Sequence, residues 1–266
     1  TIPGLTLADL DRNNKTAPTA VLDGGPARVL YHDLFTNGIA YLDVGFDMRA
    51  VDAADAPLLS LFGQMFLGMG TANEDYARLS QRIGRKTGGL RSAMINGVMR
   101  GSSDAASWFF LRGKATMAQV DDLLAILGDV LLGARLDNRE RFKQIVLEEK
   151  AGLEARLAPA GHSMANMRLR AAFTSSDWAI EQMGGASYLF FLRDLAQRIE
   201  NDWAGVLAQL ERVRATLVNR SGALCNVTLD AANWAAVQPR LDALLARLPA
   251  GAARRCDWPT AQLPAH

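Results

Sequence analysis

Histidine is almost missing from this chain: there are three in 266 residues, His32, His162 and His266. A catalytic zinc centre needs three protein ligands and an open position for water. No two of these histidines stand four apart on one helix, so no catalytic metal site is expected. Cysteine is scarcer still. Cys225 and Cys256 are too few for a disulfide framework and point to a reducing compartment. Charge of either sign is lacking in excess: the formal net charge is +1, which gives no electrostatic reason to expect nucleic acid or a membrane surface as partner. No apolar run reaches the ~18 residues of a membrane span, and no signal peptide opens the chain.

The short motifs of other enzyme classes are missing too. Ser60, Ser80 and Ser163 have no G-x-S-x-G context. Gly68-Met69-Gly70 follows a helical pattern instead of a strand and lacks the third glycine of a dinucleotide loop. Gly84-Arg85-Lys86-Thr87 has no upstream glycine at phosphate-loop spacing.

What is present is an ordinary globular composition, 49% hydrophobic and 21% charged. Residues 1–20, with Pro3 and Pro18, and residues 251–266 read as linkers, which suits a piece of a longer chain. Between them, residues 21–250 read as one domain. A short strand, a Gly24-Gly25-Pro26 turn and a second strand, 27–32, come first. Asn37-Gly38 is a strong turn signal, and the strand after it alternates: Ala40, Leu42, Val44, Phe46 and Met48 face one way, Tyr41, Asp43 and Asp47 the other. A hairpin beside a central helix is expected. That helix lies within residues 50–71, where Leu58, Leu61, Phe62, Met65, Phe66 and Met69 form one apolar stripe closed by Gly70 and Thr71.

A second helix is expected over 73–85 with Asn73 as its cap. Two strands, 90–100 and 106–115, follow, then helices over 117–132 and 138–157. A mostly helical stretch, 161–218, is broken at Gly184-Gly185, and a strand (222–229) and a helix (231–248) end the order. Strands in pairs with helices gathered between them argue for an α+β fold: a largely antiparallel sheet covered by helices. The aromatic runs Trp108-Phe109-Phe110 and Tyr188, Phe190, Phe191 read as core packing.

The ending Gly70-Thr71 also carries a resemblance. Zinc peptidases of the pitrilysin (inverzincin) type hold H-x-x-E-H on such a helix, shortly before a Gly-Thr or Gly-Ser ending. In that frame the two histidines fall on Leu61 and Met65 and the glutamate on Gln64. The segments HDLFTNGIAY (32–41), IGRKTGG (83–89), ERFKQIVLEEKAGLEARL (140–157) and EQMGGASYLFFL (181–192) resemble the third, non-catalytic domain of presequence proteases, a branch of that group. The resemblance implies a pitrilysin/processing-peptidase-like domain with a degenerate metal site, one of four related domains in two halves that close around a peptide chamber. It implies that the zinc and its general-base glutamate sit in the first domain, and that an arginine and a tyrosine come from an R-E-x-G-A-Y-G stretch of the fourth. Neither is found here.

Glu149, in VLEE, is similar to the downstream helical glutamate that supplies the third zinc ligand in the catalytic domains. A 100° step places it near the centre of the stripe of Phe142, Ile145, Val146 and Leu153. It is either a remnant of the ligand set or a glutamate satisfied by backbone groups or an arginine, with Arg82, Arg85 and Arg91 as candidates.

The resemblance thus implies a non-catalytic, chamber-forming domain, inactive alone. Catalytic and metal-ligating residues are none, the cofactor of the parent is zinc, and the partners are the remaining domains of the same chain and a peptide substrate. The compartment would be a bacterial cytoplasm or an organellar matrix. The alternative is a stand-alone inactive scaffold subunit pairing with an active peptidase subunit.

Overall fold

The computed structural model describes residues 4, 6–10, 12, 16–102, 104–252 and 254–261. His266 and much of the expected N-terminal linker lie outside the described residues.

Six strands build one mixed sheet: β1 (Ala20–Leu22), β2 (Arg28–Asp33), β3 (Ile39–Asp47), β4 (Leu90–Val98), β5 (Ala105–Thr116) and β6 (Ala223–Leu229). Their spatial order is β1-β2-β6-β3-β5-β4. Every neighbouring pair is antiparallel except β2 with β6. The expected α+β class and largely antiparallel sheet are what the structure has. The hairpin across Asn37-Gly38 is not. Although Asn37 and Gly38 both take positive φ, β2 and β3 do not pair with each other. The late strand β6 lies between them, parallel to one and antiparallel to the other. A turn signal fixes a local reversal, but a strand from the far end of the chain took the hydrogen bonds.

The helices are α1 (Ala56–Gly68), α2 (Tyr76–Lys86), α3 (Val120–Gly133), α4 (Arg139–Leu157), α5 (Gly161–Arg170), α6 (Ser175–Gly184), α7 (Ala186–Asn201), α8 (Trp203–Leu217) and α9 (Ala231–Ala246). The stripe residues of α1 are all buried, and Leu59 with them, so this helix is enclosed nearly all round. Two short 3-10 turns, Met48–Ala50 and Ala53–Asp55, precede it. At its other end Gly70, at φ +79°, makes the exit turn, where a Cβ would come within 2.7 Å of the Glu74 carbonyl oxygen. The cap of α2 is Asp75, which accepts from the Arg78 amide at 2.8 Å, and not Asn73. Thr71 explains the delay: its amide is taken by the Glu74 carbonyl, so a turn intervenes before the helix starts.

Alternation along the strands separates two faces. Val29, Tyr31, Leu42, Val44, Phe46, Phe109, Leu111, Cys225, Val227 and Leu229 are buried under the helices. Gly63 of α1 lies so near Ser92 of β4 that a Cβ there would sit 2.3 Å from its hydroxyl. Leu123 of α3 packs on Gly113 of β5, and Trp234 of α9 stacks on Tyr31 at 5.0 Å. Among the described residues the opposite face is largely open, with Tyr41, Arg91, Ile95 and Lys114 exposed on it. Residues 254–261 are tied back onto the domain. Arg49, itself buried, donates Nε and Nη2 to the Cys256 carbonyl at 3.0 and 2.9 Å, and the buried Trp258 donates Nε1 to the Val51 carbonyl at 2.9 Å.

Candidate functional site

The first place to look is α1, where the spacing of an H-x-x-E-H motif fell on Leu61, Gln64 and Met65. Leu61 and Met65 have no solvent exposure at all. Gln64, one step round the helix, is exposed and donates Nε2 to Glu149 Oε2 on α4 at 2.8 Å. Two of the positions singled out in the sequence therefore meet. The partner of Glu149 is this amide, not an arginine: Arg82 pairs with Asp129 at 2.6 Å, and Arg91 lies on the far face of the sheet.

Tyr188 of α7 is buried beside the same pair, and its hydroxyl has no hydrogen-bond partner among the described residues. Burial, then the charge of Glu149, pushes its phenol above the ordinary range. Ser60, close enough to ease that shift, donates its own proton to the Met183 carbonyl at 2.8 Å.

Zinc does not fit this donor set. One carboxylate, one amide, a sealed leucine and a sealed thioether cannot supply three zinc ligands plus a water position. Among the described residues no group of three His, Cys, Asp or Glu could hold a metal ion. His162 is exposed at the start of α5. His32 serves the sheet: Nε2 lies 2.8 Å from Asn226 Oδ1, and Nδ1 lies 2.9 Å from the Pro18 carbonyl oxygen. The EQMGGAS run is structural as well. The fully buried Glu181 accepts from the Ser187 amide at 2.9 Å, capping the first turn of α7. Gly185 gives it room, since a Cβ there would stand 2.9 Å from Glu181 Cγ.

The second place was not singled out in the sequence. It is the uncovered face of the sheet, and a polar row crosses it. Asn226 of β6 stands opposite Asp43 of β3, Asp43 opposite Arg112 of β5, and Arg112 opposite Arg91 of β4. Arg112 Nη2 lies 3.1 Å from Asp43 Oδ2, and Asn226 Nδ2 donates to the same oxygen at 3.3 Å. Next to this row lies an apolar ridge. Trp108 and Phe110 stack at 6.1 Å, and Phe110 lies over Gly45, where a Cβ would meet its ring at 2.2 Å. Reading the aromatic run as core holds for Phe109 and Phe110, both buried although on opposite faces of the strand; Trp108, beside Phe110, is half-buried. Phe190 is likewise 65% exposed, while Tyr188 is buried.

Two hollows open on this face. One, of about 470 Å3, includes Tyr41, Asp43, Arg91, Arg112 and Lys114 with the Gly88-Gly89 turn. The other, of about 570 Å3, lies at the Trp108 end with Arg28, Asp47, Arg220 and Leu224. The alternation of β3 already put Tyr41, Asp43 and Asp47 together. What the sequence could not give was the pairing that sets Arg112, Lys114 and Arg91 beside them.

Comparison with known proteins places this arrangement. The family described as associated with the peptidases of group M16, subgroup C, matches residues 1–195. Presequence protease 1, chloroplastic/mitochondrial, of Arabidopsis thaliana is 37% identical over 248 residues, which is 93% of this chain and 23% of that protein. The mitochondrial presequence protease of Danio rerio is 22% identical over 227 residues, 84% of this chain and 22% of that protein. The chain thus spans about a quarter of the length of these curated relatives, 23% and 22%. Among solved structures, a peptidase M16 inactive domain from Pseudomonas fluorescens superposes with a TM-score of 0.58 at 18% identity, covering 90% of this chain and 53% of that one. That level of likeness speaks for the fold.

Proposed function

Because this chain belongs to the family associated with subgroup C of the M16 peptidases, we propose that it acts as the non-catalytic, chamber-forming domain of a presequence-protease-like zinc peptidase. The observation that carries this reading is the sealed pair Leu61 and Met65 in the frame of a zinc-binding helix, with an amide at the position between them. The frame is kept for packing, and the chemistry resides elsewhere in the longer chain, zinc included. The uncovered sheet face supplies a wall of side chains and hollows for an extended peptide, which would be held partly as an added strand along an edge of the sheet. The partners are the other domains of the same chain and an unstructured peptide. No helix of the described residues is long and apolar enough to cross a membrane. The compartment proposed is a reducing one, a bacterial cytoplasm or organellar matrix, in keeping with two free cysteines.

The test is metal content by mass spectrometry together with a cleavage assay on an unstructured peptide, using the same untagged protein. The expected result is no stoichiometric zinc and no cleavage. Chelator-sensitive cleavage that survives replacement of Leu61, Gln64 and Glu149 would overturn the reading.

A further inference from the structure

The hollow at Tyr41, Arg91, Arg112 and Lys114 is electrostatically uncompensated, although the chain as a whole is nearly neutral. Three cations line it against one acid. That acid, Asp43, is already engaged by Arg112 and Asn226. Arg91 and Arg112 are directly opposite across β4 and β5, a like-charge cross-strand pair of the kind that weakens a sheet. Lys114 is two residues further along the same face of β5 and opposite Tyr41, and its stem is pressed onto Gly88, where a Cβ would sit 2.9 Å away. Neither Arg91 nor Lys114 has a carboxylate partner among the described residues. Packing gives no reason to hold three cations round one cavity; an anion entering it does.

We infer that this hollow is a subsite for a carboxylate of an extended peptide. Arg91 and Lys114 would be the primary charges, Arg112 a positioning group already anchored by Asp43, and the Tyr41 hydroxyl a further donor. Charge-assisted hydrogen bonds from guanidinium to carboxylate are among the stronger polar contacts available to a protein. The inference rests on the chamber-wall reading above. The carboxylate could be the C-terminus of the peptide or an acidic side chain, and the same chemistry serves both.

The experiment uses the 266-residue chain at low salt and three fluorescent versions of one short neutral peptide. One has a free C-terminus, one is C-terminally amidated with a central Glu, and one is amidated without it. The expected result is binding at least about tenfold tighter for one or both acidic versions than for the third, the size of one good charge-assisted contact. Which acidic version wins assigns the source. Arg91→Gln and Lys114→Gln each remove most of that preference, Arg91→Lys restores part of it, and Arg28→Gln in the other hollow leaves it intact. Arg91 is exposed, so its variants fold, as unfolding transitions of each protein would verify. Equal binding of all three peptides would overturn the carboxylate subsite and leave the wall for peptide standing. Binding of inorganic phosphate with none of the peptides would overturn both.

Discussion

Two regions of this chain carry the positions where chemistry would be sought, and they have gone opposite ways. Where α1, α4 and α7 meet, every buried polar side chain among the described residues has a partner except the Tyr188 phenol. Leu61 and Met65 are sealed, and Gln64 and Glu149 satisfy each other at 2.8 Å. On the uncovered sheet face, Arg91 faces Arg112 with Lys114 beside them, and the nearby Asp43 is engaged by Arg112 and Asn226. The first region is ordinary packing in the spacing of a metal motif. The second sets two like charges directly opposite each other across β4 and β5, an arrangement that packing alone does not call for. The first keeps the spacing of a metal motif without its ligands, while the second brings three cations together.

The largest expected effect breaks the comparison from the first side. Rebuilding the motif with Leu61→His, Gln64→Glu and Met65→His puts two imidazoles where there is no solvent exposure. The loss should be roughly 3 kcal/mol or more, from buried polar groups without partners and the mismatch in shape. Denaturant unfolding with and without added zinc measures it. No recovery with zinc is expected, because both new imidazoles lie in packed apolar surroundings that leave no room for a metal with its ligands in tetrahedral geometry. A zinc-dependent rise in the unfolding midpoint would mean that α1 and Glu149 still form an intact frame lacking only its ligands.

Tyr188→Phe sharpens the same side. The wild-type hydroxyl is buried without a partner among the described residues, so removing it should leave stability at neutral pH unchanged or raise it by up to about 1 kcal/mol. The alkaline limb carries the signature. Burial, with the charge of Glu149 adding, raises this phenol above its ordinary value of 10.0. In the unfolded chain it ionises near 10, so the folded state binds the proton more tightly: its contribution is complete below that pH and is lost as pH rises above it. Unfolding midpoints followed from about pH 8 to about pH 11 should fall less steeply in the variant. What remains of the fall belongs partly to Cys225, whose thiol burial pushes from 9.0 to about 12.

Much of the fold was readable because local patterns agreed with the tertiary structure. The break at Gly184-Gly185 separates α6 from α7, the alternation of β3 gives its two faces, and the apolar stripe of α1 is the buried one. The failures share a cause. Asn37-Gly38 signalled a hairpin that β6 pre-empted, and the face of Arg91, Arg112 and Lys114 exists only through pairings between strands distant in sequence. Charge clusters on a sheet are set by register, and register is a tertiary property. Glu149 shows the limit from the other direction. Helical steps place it near the centre of the apolar stripe of α4, where a carboxylate calls for backbone groups or a cation as partner. An exposed glutamine on the neighbouring helix was the simpler answer, and only the packing of α4 on α1 reveals it.

The smallest effect is also the most discriminating. Arg91→Gln removes a cation that stands opposite Arg112 with no acid of its own among the described residues. If the pair is frustrated, the variant should be more stable than wild type by about 0.2–1 kcal/mol, the usual range of cross-strand pair energies. The gain should shrink in 1 M salt, where the screening length is about 3 Å. Arg112→Gln should do the reverse, because it leaves Asp43, a half-buried carboxylate, with only the Asn226 amide. Paired denaturant titrations at low and high salt separate the two signs. A destabilised Arg91→Gln would show that this arginine holds the sheet together through its stem, which would remove the reason for expecting an anion there. A stabilised variant that has also lost its preference for acidic peptide would place Arg91 among residues kept at a cost to the fold.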